Sequence, residues 1–163
     1  MSEMLWSMID PASQLPRDPA TVMMDAVGKG KMLFDLLDPQ ESALIEQSGK
    51  PPAEISALTI NKLLVSLVGA RLSGTGDFTF DNSDMVTMDG FPRPTGYIDL
   101  QLVGANALLE KLSAMGLVAD EEVMGARMMM GLLAVPGDEA DTLNSKIEIN
   151  SQGHILANGQ RIQ

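Results

Sequence analysis

A strict two-residue period between Arg71 and Phe80 constrains this chain more than any other feature. Leu72, Gly74, Gly76, Phe78 and Phe80 alternate with Arg71, Ser73, Thr75, Asp77 and Thr79. Successive strand side chains point to opposite faces, so one face is apolar and the other wet. Tyr97–Val103 repeats the pattern, with Ile98, Leu100 and Leu102 set against Tyr97, Asp99 and Gln101. Such alternation suits an antiparallel sheet with one solvated face. Gly74 and Gly76 leave the apolar face open to a neighbouring element or a ligand, and close packing is the favoured cause.

Other segments extend the sheet. In Ile55–Leu67, Leu58 and Ile60 fall on one face, whereas Leu63, Val65 and Leu67 fall on the other. A bulge near Lys62 reconciles them by inserting one extra residue into the pleat. Two strands, or one strand covered on both faces, are the alternatives. Thr21–Val27 and Lys31–Leu37 flank Gly28-Lys29-Gly30 and predict a hairpin. Those glycines are not a dinucleotide fingerprint, because no third glycine follows at the required spacing. Ser145–Asn150 and His154–Ala157 flank Ser151-Gln152-Gly153 and predict a C-terminal hairpin, with Asn158-Gly159 a further tight turn. Residues 1–19, with Asp10-Pro11 and Asp18-Pro19, read as an extended lead-in trailing at an edge. Asp81–Gly96 reads as a polar loop.

Three helices are expected. Asp38-Pro39-Gln40-Glu41 starts a short one that Gly49 and Pro51-Pro52 end. Asn106–Met115 is the second, with Leu108, Leu109, Leu112 and Met115 as its apolar stripe and Gly116 as its stop. Asp120 caps the third, Glu121 and Glu122 complement its dipole, and Pro136-Gly137 closes it. From Val123 to Val135 this helix is apolar almost all round, and Arg127 is its one charge. Gly125 and Gly131 each cost about 1 kcal/mol of helix propensity. Each buried large side chain contributes about 1.5–3 kcal/mol, so packing decides. Met124, Met128, Met129, Met130, Leu132 and Leu133 are the candidate apolar contact surface. Their cover is the sheet, the partner helix, or something outside the chain. Arg127 is expected to pair with Glu122, Asp120 or a strand acid rather than to capture an anion.

Composition excludes several function classes. The 163 residues carry a net charge of −11 with a pI near 4.3. Nucleic-acid binding needs a basic surface, and an anionic membrane face also repels such a chain. The length suits one domain. Methionine is abundant at 13 residues and aromatics are only 4 per cent, so the apolar surfaces are flexible ones. Cysteine is absent, which fits a reducing cytosol and a periplasm equally. No apolar run approaches the ~20 residues of a membrane span.

Residue chemistry points away from catalysis. With one histidine, His154, and no cysteine, a zinc site of ordinary composition is excluded. Asp77, Asp81, Asp84 and Asp89 lack the EF-hand spacing and read as loop acids, as do Asp138, Glu139 and Asp141. No nucleophile elbow, Walker loop or H-E-x-x-H motif occurs. No catalytic, cofactor-binding or metal residue is therefore assigned, and the chain is expected not to be an enzyme.

Six short motifs, in order, carry a family resemblance. They are Leu15-Pro-Arg-Asp-Pro19, Gly76-Asp-Phe-Thr-Phe-Asp-Asn82, Pro92-Arg-Pro-Thr-Gly96, Gly104-Ala-Asn-Ala-Leu108, Gly125-Ala-Arg-Met128 and Ala157-Asn-Gly-Gln-Arg161. From about Asp10 onward the chain resembles the C-terminal part of the domain-of-unknown-function 2125 family of alphaproteobacterial envelope proteins. The resemblance implies a periplasmic or envelope location and a β-rich fold, and supplies no activity. Members of that family are longer and begin with a leader, which Met1–Ile9 does not resemble. The expectation is a truncated member, or a cytoplasmic chain if Met1 is its true start.

The expected architecture is α+β, one domain over residues 1–163. A mostly antiparallel curved sheet carries a two-helix insertion before a C-terminal β-hairpin. The expected function is non-enzymatic: contact with a lipid or an apolar envelope partner through the sheet and the Met-rich helix. The alternatives are an assembly module completed by an absent N-terminal half and, last, a hydrolase using loop acids.

Overall fold

The alternating segments pair into one open sheet. Residues 10, 13, 15–33 and 53–163 are described, by a computed structural model. The strands are β1 (Thr21–Met32), β2 (Ala53–Leu67), β3 (Ala70–Asp81), β4 (Arg93–Val103), β5 (Val135–Pro136), β6 (Thr142–Ile149), β7 (Ile155–Ala157) and β8 (Gln160–Arg161). Helices α1 (Ala105–Ala114) and α2 (Asp120–Leu133) lie between β4 and β5. The strand order is β1-β2-β3-β4-β6-β7-β8, with β5 also on β6. Every pairing is antiparallel. The fold is thus α+β, with the helical pair inserted before the closing hairpin.

A bulge aligns the two halves of β2. Ile60 faces Gly76 and Leu63 faces Gly74, so Asn61 and Lys62 together oppose Thr75. Asn61 is the extra residue toward β1, and its amide donates to the Asp25 carboxylate at 3.3 Å. A second register shift leaves Ser56 as the extra residue, and its hydroxyl donates to the Lys29 carbonyl at 3.1 Å. After both shifts one face is apolar across the sheet. Its rows run Val22–Val65–Leu72–Leu102–Leu143, then Met24–Leu63–Gly74–Leu100–Ser145, then Ala26–Ile60–Gly76–Ile98–Ile147–Ala157. Cross-strand neighbours on one face are the contacts that stabilise a sheet.

Glycine sets the β3–β4 spacing. A Cβ on Gly74 would lie 2.7 Å from the Asp99 carbonyl oxygen, and one on Gly76 would lie 2.8 Å from that of Tyr97. The neighbouring strand, not a ligand, is what approaches these glycines.

The two sheet edges differ. On one side the edge is broken into β5, β7 and β8, each two or three residues long, and β5 contains Pro136. On the other side β1 runs 12 residues without proline.

The helical pair has firm ends. Gly116 takes φ +70°, its N–H donates to the Ser113 carbonyl, and the Leu117 N–H donates to that of Leu112. This double bond pattern closes α1 as a Schellman motif. In α2 the N-cap is Ala119 rather than Asp120. Asp120 is already helical and accepts the Ser113 hydroxyl at 2.6 Å, while Glu122 reaches back to the Ala119 N–H at 3.1 Å. The Glu122 reach-back leaves Asp120 free to join the two helices.

Other sequence expectations are also corrected. Thr21–Met32 is one strand, not the first arm of a hairpin at Gly28-Lys29-Gly30. Neither Gly28 nor Gly30 adopts positive φ. A Cβ on Gly30 would meet the Glu54 carbonyl oxygen at 2.7 Å, so that glycine serves close approach to β2. β4 begins at Arg93 and shortens the expected loop. In the lead-in, Leu15 is buried and its N–H donates to the Asp10 carboxylate at 2.8 Å, so these two residues do not trail, and most of residues 1–14 lie outside the described residues. The helix expected after Asp38 lies outside the described residues, as does the Lys31–Leu37 segment beyond Leu33.

Buried side chains are few. Among the described residues, Leu15, Val123 and Ala157 are the buried apolar ones. Among the described residues, the sheet is a single layer that the two helices cover only in part.

Gly76 sits at the centre of that layer, and Gly76→Val should force β3 and β4 apart. Urea unfolding followed by circular dichroism should show a loss of about 1–3 kcal/mol. Wild-type stability in the variant would contradict the close approach.

Candidate functional site

The site is the space between α2 and the apolar sheet face. Val123 is the buried residue of the helix, and Ala126, Met130 and Leu133 lie half-buried beside it. Positions 123, 126, 130 and 133 fall on one helical face. Beneath them the sheet presents Leu72, Leu100, Leu102, Leu143 and Ile147. A groove of about 390 Å³ remains between the layers. Its lining is almost wholly apolar, and its size lies within the ~300–1,000 Å³ range of small-molecule sites.

The opposite side of α2 faces outward. Met124 is 68 per cent exposed, Met128 72 per cent, Leu132 59 per cent and Met129 57 per cent. Met124, Met128 and Leu132 recur every four residues and form one stripe. The six candidate contact residues therefore divide: Met130 and Leu133 line the groove, Met124, Met128 and Leu132 face outward, and Met129 borders both.

Polar ties hold the helix over the sheet. The Ser145 hydroxyl donates to the Leu133 carbonyl at 2.6 Å, and the Asn158 amide donates to the same oxygen at 3.0 Å. Asn158 also accepts the Lys146 N–H at 2.9 Å through its side chain. It takes φ +49° beside Gly159 at +81°, so the turn seen in the sequence also fastens the helix end. Arg127 pairs with Glu110 of α1 at 2.8 Å, not with Glu122, Asp120 or a strand acid. Both partners are exposed, so the pair contributes at most about 1 kcal/mol.

Asp141 anchors the other end of the insertion. Its carboxylate accepts from the Asn106 N–H, the Asn106 amide and the Ala107 N–H at 2.8–3.1 Å. The N-cap of α1, Gly104, has no side-chain cap of its own, so Asp141 caps that helix from a distant loop. Burial pushes its carboxyl up, but those hydrogen bonds, aided by Arg127, outweigh this and hold it below the ordinary range. The sequence expectation of a solvated loop acid is corrected here. Nothing local marks Asp141, because its partners are 34 and 35 residues away.

The remaining polar groups serve structure. Arg93 bridges Asp81 at 3.0 Å and Asp84 at 3.1 Å and pins the loop before β4. Bonds from Ser83 first, then Arg93, hold the Asp81 carboxyl low, and bonds from Thr87 first do so for Asp84. Asp77 accepts the Thr59 hydroxyl at 2.7 Å, and Asp89 sits in a turn at φ +48°. Asp81 and Asp84 come together on Arg93, but among the described residues no group of three metal-ligating side chains forms. His154 is half-buried in the β6–β7 turn, where its N–H donates to Asn150 at 3.0 Å.

A larger depression of about 520 Å³ lies on the wet face, around Thr75, Asp99, Gln101 and Lys146. Two of these polar groups, Gln101 and Lys146, have partners. Gln101 donates to Asn144 at 3.2 Å, and Lys146 lies 3.6 Å from Glu148 and 5.0 Å from the Tyr97 ring centre.

No family model, curated protein or solved structure matches this chain. Among the described residues no helix is long and apolar enough to cross a membrane.

Asp141→Ala should lower stability by about 1 kcal/mol, the usual worth of a lost cap. Because the folded carboxyl titrates below its unfolded value, the cap is fully present above about pH 4 and lost as pH falls lower. Wild-type unfolding should therefore lose stability over that range, and Asp141→Ala should lose less. Equal acid sensitivity in the two proteins would contradict the assignment.

Proposed function

We propose that this protein is a non-enzymatic carrier or contact module for a lipid acyl chain, held between α2 and the apolar sheet face. The groove of about 390 Å³ carries this reading, because apart from Ser145 its walls from both layers are aliphatic or thioether. A hydrocarbon chain gains roughly 0.8 kcal/mol per buried methylene and needs no polar partner. Methionines at the rim adapt to ligands of different shape. The non-enzymatic part rests on the engagement of the acids in loop pins and a helix cap. An envelope location rests only on the resemblance of six short motifs to the family named above.

A second reading is an assembly module, in which a strand from elsewhere completes the sheet. The 12-residue β1 at the edge of the strand order favours it.

Native mass spectrometry of delipidated protein mixed with a long-chain fatty acid should show a one-to-one complex. Met130→Lys, which places a charge in the groove, should weaken it at least tenfold. Met128→Ser on the outward face should leave it unchanged. Absence of any specific adduct to the wild-type protein would sink the carrier reading.

A further inference from the structure

We propose that β1 is a self-complementary docking edge for a second copy of this chain, joining two sheets into one through antiparallel β1–β1 pairing. The inference does not depend on the lipid reading.

Sheet edges invite pairing, and proteins blunt them with short strands, prolines, bulges and charge. This sheet breaks up one edge, whereas the other, β1, has only the charges of Asp25, Lys29 and Lys31. β5, β7 and β8 are two or three residues long, Pro136 removes a donor, and the Asn158 side chain accepts the Lys146 N–H between them. β1 has 12 residues and no proline, and in both irregularities of its pairing with β2 the extra residue, Asn61 or Ser56, belongs to β2. No described strand pairs with its outer side. Large apolar side chains stand exposed along it, with Val22 at 78 per cent and Met24 at 64 per cent.

Charge complementarity selects the occupant. A twofold axis at Val27 pairs Val22–Met32 of one copy with Met32–Val22 of the other. Asp25 then lies opposite Lys29 of the second copy, twice over, and like charges never face each other. On the apolar side Val22 meets Met32, Met24 meets Gly30 and Ala26 meets Gly28, so the two apolar faces become continuous. Centring on Ala26 forms no charge pair. Centring on Gly28 pairs Asp25 with Lys31 but shortens the ladder and sets Lys29 against Val27. The net charge of −11 repels two copies, but β1 carries two lysines against one aspartate, so the seam is locally free of that excess.

Light scattering on the eluting full chain should give a dimer at high micromolar concentration and moderate salt. Asp25→Lys and Lys29→Asp each place like charges opposite and should raise the dimer Kd about tenfold. The double swap Asp25→Lys/Lys29→Asp should restore it, whereas Asp25→Lys/Lys31→Asp should not. Val27→Cys, the one thiol in a chain without cysteine, should cross-link to a covalent dimer under mild oxidation. Circular dichroism verifies that each variant is folded. A monomeric wild-type chain would overturn the proposal and leave a strand from another protein as the occupant. A folded double swap that stays monomeric would overturn it too. Fatty-acid binding, read separately, bears on neither result.

Discussion

The continuity of the apolar face depends on the bulge at Asn61 and Lys62. Without the extra residue, Leu58 and Ile60 would face one side of the sheet and Leu63, Val65 and Leu67 the other. Half of β2 would then set aliphatic side chains against the wet surface that Ser73, Asp99 and Lys146 form. A one-residue slip exchanges the faces of a strand, so such a chain could not hold a single register. The bulge corrects the phase at one point, and Asn61 fixes that point by donating to Asp25. The β1 and β2 ends of these rows follow from it, whereas the floor beneath α2, on β3, β4 and β6, pairs without any register shift.

A single sheet with one apolar face needs a second layer. The helical pair supplies it over β3, β4 and β6 only. Its hold is mostly polar and terminal: Asp141 grips the start of α1, while Ser145 and Asn158 grip the end of α2. Between these ties the helix buries Val123 and stands off enough to leave the groove. A closer fit would bury more area and raise stability. The methionines that line the gap are the side chains most tolerant of incomplete contact.

Features governed by local spacing could be read from the sequence. The alternation of Arg71–Phe80 and Tyr97–Val103, the phase change in Ile55–Leu67, and the Gly116 and Asn158-Gly159 turns each announce their structure within a few residues. Gly28-Lys29-Gly30 misleads because glycine serves both turns and close approach, and only the position of Glu54 distinguishes them. Asp141 and Arg127 were beyond reach for another reason. Their partners are Asn106, Ala107 and Glu110, and sequence order does not reveal which loop returns to which helix. The candidate surface was legible as six apolar residues, but its division between groove and solvent depends on how α2 rotates about Val123.

That division explains a composition that otherwise conflicts with a surface helix. An amphipathic helix needs one apolar stripe, and α2 has two. Val123, Ala126, Met130 and Leu133 face the sheet, whereas Met124, Met128 and Leu132 face away with Gly125 and Gly131 open beside them. Solvent exposure alone would favour charged residues at the outward positions, as Glu110 and Lys111 show on α1. Retaining methionine there forgoes solubility and, with the two glycines, about 2 kcal/mol of helix propensity. Folding of this layer does not require that sacrifice, since the inner stripe already docks the helix. The outward stripe is therefore not what docks α2 on the sheet. Exposed apolar side chains thus stand along this stripe and the β1 edge, and also in the β3–β4 loop at Val86 and Phe91.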